Sequence, residues 1–105
     1  MSFLDEVPVD CRLVRFMFDA GVDMTEVEGT LRLSLIACDS LHGQNRVELE
    51  AFSSVDRVRR SVAIQTRTDV GCNLAVVFLG YARREFGAAA VSIVHGPHSP
   101  SEGGI

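Results

Sequence analysis

Side chains that could do chemistry are most concentrated in the stretch "DRVRRSVAIQTRTDVG", residues 56 to 71. Its four arginines are Arg57, Arg59, Arg60 and Arg67. Guanidinium groups bind carboxylates and phosphates through paired hydrogen bonds, so a cluster of them would hold an anionic ligand. Cys72 follows closely, and a thiol in the first turn of a helix can have a lowered pKa and react as a nucleophile.

The spacing of these arginines decides whether they can act together. Alternating hydrophobicity predicts a strand over residues 60–66. At about 3.3 Å per residue, Arg59 and Arg67 would lie roughly 26 Å apart on one face of the strand, with Arg60 on the opposite face. We therefore predict that the arginines mark two ends of a strand and do not form one anion site.

Other strands follow from the same alternation. They are predicted over residues 11–18, 46–52 and 89–94, with residues 53–58 as the loop of a hairpin. In the second strand Glu48 and Glu50 would face solvent, beside the arginines of the third strand. Opposite charges paired across strands contribute only about 0.2–1 kcal/mol, so this face is expected to be solvated and balanced in charge.

Two helices are predicted from apolar residues at helical spacing. A Thr25–Glu28 capping box would begin the first helix, and Gly43 would end it. Thr68 would cap the start of the second helix, and Gly87 would end it.

The order strand, helix, strand, strand, helix, strand predicts a ferredoxin-like βαββαβ sandwich. Its antiparallel sheet would have the strand order four, one, three, two, with both helices on one face. We expect an N-terminal arm (1–8), one α+β domain (9–95) and a flexible tail (96–105). The predicted core is Val14, Phe16, Leu31, Leu35, Val47, Leu49, Val62, Ile64, Leu74, Phe78, Val91 and Ile93.

Composition excludes several classes of function. The net charge is −4, whereas a protein that binds nucleic acid through phosphate contacts normally has a basic excess. The open face of the third strand would offer Ser61, Ala63 and Gln65, without the aromatic residues of an RNA-recognition motif. The first ten residues are acidic and have no long apolar run, so we expect no signal peptide and no membrane anchor.

Three widely spaced cysteines predict neither a disulfide framework nor a zinc site, and they favour the cytoplasm. His95 and His98 are two potential ligands without the further two that a metal site needs. We therefore predict no metal, no cofactor and no catalytic residue.

One ligand site can be proposed, at the start of the second helix. Free backbone N–H groups there favour an anion, and Arg67, Thr68 and Asp69 would surround it. The negative charge of Asp69 opposes a phosphate. The alternative is a small ferredoxin-like enzyme that acts on an anionic metabolite with Arg67, Asp69 and Cys72.

Apolar residues off the predicted core stripes point to self-association. A contiguous exposed apolar patch usually marks an interface. The residues in question are Leu33, Ile36, Ala75, Val76, Leu79 and Ala82. We expect a homo-oligomer, with a two-fold dimer as the simplest form.

The function predicted is therefore a non-catalytic interaction or small-ligand regulatory module. The order of elements is similar to that of ligand-binding ACT domains. In that resemblance, "DAGVDMTEVEG" (residues 19–29) occupies the position at which such domains bind amino acids. The proline–glycine turn that such domains often have at this position is missing here.

Overall fold

The computed structural model describes residues 13–95, and their side chains as far as residue 94. The elements are β1 (Leu13–Phe18), α1 (Met24–His42), α2 (Gln44–Glu50), β2 (Ser53–Asp56), β3 (Ser61–Gln65), α3 (Asp69–Phe86), one 3-10 turn (Ala88–Ala90) and β4 (Val91–His95). The arm predicted at 1–8, the tail predicted at 96–105, Cys11, His98 and the His95 side chain lie outside this description.

The four strands form one sheet in which each neighbouring pair is antiparallel. The order is β2-β3-β1-β4, or β4-β1-β3-β2 when read from the other edge. In the centre, Phe16 of β1 lies opposite Val62 of β3 and opposite Ile93 of β4. The prediction of an α+β domain with a four-stranded antiparallel sheet is confirmed.

Both long helices pack against the same face of this sheet. In β1 the buried residues alternate with partly exposed ones, which is the pattern of a strand with one face on the core. The rings of Phe16 and Phe78 meet edge to face, with centroids 5.3 Å apart. The core cluster also contains Val27 and Leu31 of α1 and Leu74 of α3, so a single core joins the helix layer to the sheet.

The predicted ends of the helices are confirmed at three of four positions. Thr68 is the N-cap of α3, with its Oγ1 accepting a hydrogen bond from the Gly71 N–H at 2.9 Å. Gly43 and Gly87 end α1 and α3 with φ of +89° and +93°, conformations that glycine adopts without steric cost. At the start of α1 the predicted capping box is wrong. Asp23 is the N-cap and accepts from the N–H of Thr25 at 2.9 Å.

The strand predicted over residues 46–52 is wrong, because residues 44–50 form α2. Val47 and Ala51 are four residues apart and share a face in a helix as well as in a strand. Arg46 and Glu50 form an i,i+4 ion pair at 2.9 Å, which supports the helix. The true second strand is the segment Ser53–Asp56, so the prediction of a loop over residues 53–58 is wrong there.

Because residues 44–50 are helical, their side chains point in other directions than in the predicted strand, and the set of core residues changes as well. Leu49 lies on the solvent side of α2 and is 73% exposed, so its predicted core position is wrong. Ile93 belongs to the edge strand β4 and is 37% exposed, since no further strand covers it in the described part of the chain. Leu35 packs against the core but is only partly buried. The other nine predicted core residues are buried.

A glycine sets how closely α3 approaches β3. A Cβ atom added to Gly71 would lie 2.1 Å from the backbone oxygen of Gln65, far inside any permitted contact. The absence of a side chain at this position therefore allows the first turn of α3 to sit directly on the end of β3, and it places Thr68 and Asp69 next to α2.

Candidate functional site

The arginines of the hairpin turn bind different parts of the fold. Arg57 forms an ion pair with Glu28 and donates to Thr25 Oγ1 at 2.8 Å, which joins the turn to the first turns of α1. Arg59 lies 3.9 Å from Asp56 in an exposed pair, a type of contact that contributes little to stability. The predicted pairing of these arginines with Glu48 and Glu50 is wrong, because those glutamates lie on a helix.

Arg60 organises the loop between β1 and α1. Its guanidinium donates to the carbonyl oxygen of Asp19 at 2.6 and 3.1 Å and also to that of Val22. Its φ of +57° is a left-handed conformation that costs a non-glycine residue roughly 1–2 kcal/mol. The hydrogen bonds to the loop offset this cost, so the role of Arg60 is structural.

Thr68 and Asp69 lie together at the start of α3, where a ligand was predicted. The Thr68 hydroxyl donates to the backbone oxygen of Glu50 at 2.9 Å, in addition to capping the helix. Arg46 donates to the carboxylates of both Glu50 and Asp69, each at 2.9 Å. Arg67 is exposed, and it forms no ion pair within residues 13–95. Two of the three predicted ligand residues are thus occupied by contacts that tie α2 to α3.

The surroundings of Asp69 stabilise the ionised form of its carboxylate. Desolvation is the largest single effect and raises the pKa of Asp69. The charge and hydrogen bond of Arg46, together with the N–H groups of Val70 and of Asp69 itself, lower this pKa by more in total. The net pKa is below the ordinary value, so the carboxylate remains ionised at neutral pH. An incoming anion would have to compete with this carboxylate for the same N–H groups.

Cys72 is not activated by its position in the first turn of α3. Desolvation first, and the negative charge of Asp69 second, raise the pKa of its thiol. The raised pKa is opposite to the lowered one that this position can produce. Cys38 is fully buried in the core, and burial followed by the charge of Asp39 raises the pKa of its thiol as well.

Sequence reasoning missed a contact between the ends of the two long helices. Asn73 Nδ2 and His42 Nε2 lie 2.7 Å apart in a partly buried position. The two residues are 31 positions apart, and they meet because the end of α1 lies beside the start of α3. No local pattern could have indicated this pair.

The outer surface of the helix layer contains an apolar groove between α1 and α3. Its volume is about 410 Å³, and it is lined by Leu33, Ile36, Ala37 and Tyr81, with Arg84 and Glu85 from the last turns of α3. Leu33 is 60% exposed and Ile36 is 56% exposed. The groove therefore presents large apolar side chains to solvent beside one positive and one negative charge.

Two of the residues assigned to the predicted interface cannot form part of an exposed face. Ala75 and Ala82 are buried in the core. Because α3 packs against both the sheet and α1, it buries more of its surface than the single apolar stripe that the sequence predicts. Leu79 is partly buried against the same core. Of the predicted residues on α3, only Val76 is well exposed, at 60%.

Two further grooves lie along the opposite side of α1, and sequence reasoning did not identify them. One, of about 390 Å³, has an apolar lining that includes Leu35 and Phe52, with Asp39 and Glu48. The other, of about 280 Å³, also includes Leu35 and has Glu28 and Arg32 in its lining. Neither brings together groups with a recognisable catalytic arrangement.

Within residues 13–95, no group of three or more histidine, cysteine, aspartate or glutamate side chains is arranged to hold a metal ion. None of the helices in this range has both the length and the apolar character needed to cross a membrane.

Comparison with models of known protein families gives no match. Curated proteins give no match by sequence, and solved structures give none by fold.

Proposed function

We propose that this protein is a non-catalytic interaction module that acts as a homo-oligomer through the groove between α1 and α3. The exposure of Leu33 and Ile36 beside that groove is the observation that carries the proposal. Single exposed apolar residues are ordinary, but several that line one groove are typical of an interface.

The charges of the groove support a second copy of the chain as the occupant. Arg84 and Glu85 are adjacent in sequence and line the same groove. In a two-fold interface each contact occurs twice, so Arg84 of each copy could meet Glu85 of the other. Such pairs contribute mainly to register and specificity, while the apolar side chains contribute most of the affinity.

We also propose that the fold is ferredoxin-like. Read from the β4 edge, the strand order is β4-β1-β3-β2. The helix α1 connects β1 to β2 with β3 between them, and α3 connects β3 to β4 with β1 between them. This is the connectivity of two interleaved split βαβ units, to which α2 is an addition.

For a regulatory ligand, we propose a small anion bound by Arg67 at the start of α3. The support is the exposed guanidinium beside helix N–H groups. Since Asp69 places a negative charge beside those groups, Asp69→Asn should strengthen phosphate binding, seen as larger amide shifts in residues 67–71 at a given phosphate concentration. Shifts centred on residues 57–60, or none in either protein, would contradict this site.

The enzyme alternative has less support. It requires Cys72 or Asp69 to react with a bound metabolite. Asp69 is paired with Arg46, and the pKa of Cys72 is raised, so neither side chain is activated as a nucleophile or base.

The groove proposal is tested by the variant Leu33→Glu/Ile36→Glu. Two carboxylates would have to be desolvated in the interface, so the molar mass of the assembly measured by light scattering should fall. Leu41→Glu is the matched control. Leu41 is on the same helix and is exposed, but it does not line the groove. An unchanged mass in a folded double variant, or an equal loss in the control, would contradict the groove as the interface.

A further inference from the structure

The outer edge of β4 carries backbone groups that no described strand pairs with. The Asp19 N–H donates to the carbonyl oxygen of Ala90 at 3.1 Å, and from there the pairing with β1 runs in antiparallel register. Hydrogen-bonded and non-bonded pairs alternate along such a ladder. Ser92 and Val94 therefore turn their N–H and C=O groups towards β1. Residues 91, 93 and 95 turn theirs outwards.

The two edges of the sheet differ in how they are protected. Natural sheets limit edge pairing with short strands, charged residues, proline or bulges. At the other edge, β2 has only four residues and ends in Asp56, with Arg57 directly after it. In contrast, β4 has the sequence VSIVH and contains no acidic residue, arginine or proline. Ile93 and Val94 are 37% and 47% exposed.

We propose that β4 pairs antiparallel with β4 of a second copy, about a two-fold axis at Ile93. The outward backbone groups are symmetric about this residue. Ile93 would lie opposite Ile93 of the other copy, and Val91 of each copy would lie opposite His95 of the other. Three hydrogen-bonded pairs would give about six backbone hydrogen bonds, and one sheet would continue through both copies.

A second copy fits this edge better than an unrelated peptide does. A peptide that adds a strand to a sheet gains its specificity from pockets beside the edge. None of the three grooves described above includes a residue of β4. The strand has no aspartate, glutamate or arginine that would repel its own copy. This surface is separate from the α1–α3 groove, so association through β4 can be tested independently of association through the groove.

The test uses opposite charges at the two-fold axis. In the Leu33→Glu/Ile36→Glu background, which lacks association through the groove, we expect a concentration-dependent dimer by sedimentation velocity. Ile93→Lys alone and Ile93→Glu alone should each give monomers, because like charges would face each other. An equal mixture of the two should restore the dimer. Val58→Lys, at an exposed position in the hairpin turn, is the control and should leave the dimer unchanged.

A second measurement needs no substitution at β4 and covers the case in which those variants do not fold. In the same background, the amide of Ile93 should be protected from hydrogen exchange at high protein concentration and exposed at low concentration. The amides of Ser92 and Val94 should be protected at both, because they bind β1. A monomer at all concentrations, a mixture that stays monomeric although both variants fold, or an Ile93 amide that exchanges freely throughout would each overturn the proposal.

Discussion

Gly71 offers the sharpest test of how α3 is positioned. A Cβ atom at this residue would lie 2.1 Å from the Gln65 backbone oxygen, where ordinary contacts begin at 3.4 Å. The helix or the strand end must therefore move by about 1.3 Å, the difference between these distances. A backbone oxygen cannot rotate away as a side chain could, so the cost should reach the upper part of the roughly 1–3 kcal/mol seen for overpacked sites, or exceed it.

The matched control is Gly80→Ala in the same helix, where an added Cβ meets nothing within 4 Å. Alanine is favoured over glycine in a helix by about 0.8–1 kcal/mol, so this variant should be more stable than the wild-type protein. We expect Gly71→Ala to lower the free energy of unfolding in urea by about 3 kcal/mol, and Gly80→Ala to raise it by up to about 1 kcal/mol. A Gly71→Ala protein within about 0.5 kcal/mol of the wild type, less than the overpacking cost, would refute the close approach of α3 to β3.

Three other predictions concern the polar contacts. Arg60→Ala should lower the free energy of unfolding by about 1.5–3 kcal/mol, as expected for lost hydrogen bonds from a charged group, whereas Arg59→Ala should change it little; equal effects would contradict the role of Arg60. Because the pKa of Asp69 is lowered in the fold, its contribution to stability is present above the unfolded value of about 3.9 and is lost as the pH falls through the folded value. Asp69→Asn should therefore lower stability at neutral pH and weaken its decline in acid, measured as urea midpoints from pH 2 to pH 7; parallel curves would contradict this. Cys72 should react slowly with iodoacetamide at pH 7.5, as followed by mass spectrometry at that site. Asp69→Asn should accelerate the reaction, because it removes a charge that raises the pKa of the thiol. An unchanged rate would contradict that cause.

The elements with long, regular periodicity could be predicted from the sequence. Both long helices combine an apolar stripe with a terminal glycine, and β1 and β3 alternate in sequence. The prediction of a solvated face on β3 is wrong, because Ser61 and Ala63 are buried. The segment around Val47 is predicted wrongly as a strand, because Val47 and Ala51 share a face in a strand as well as in a helix. The choice there depends on the Arg46–Glu50 pair and on the packing of Val47 against the core, which are consequences of the fold.

The candidate surfaces could be predicted only in part. Leu33, Ile36 and Val76 are exposed as expected, because they lie far from the buried stripes of their helices. The burial of Ala75 and Ala82 depends on where α1 packs against α3, and a periodicity analysis of one helix contains no information about a neighbouring helix. The same limitation applies to contacts between residues that are distant in sequence.

The oligomeric mass of the full chain tests the central claim most directly. Light scattering of the wild-type protein from low to high micromolar concentration should give a mass above that of one chain. Leu33→Glu/Ile36→Glu should lower that mass, and Leu41→Glu should not. A wild-type protein that has the mass of a single chain at every concentration would contradict self-association through the groove.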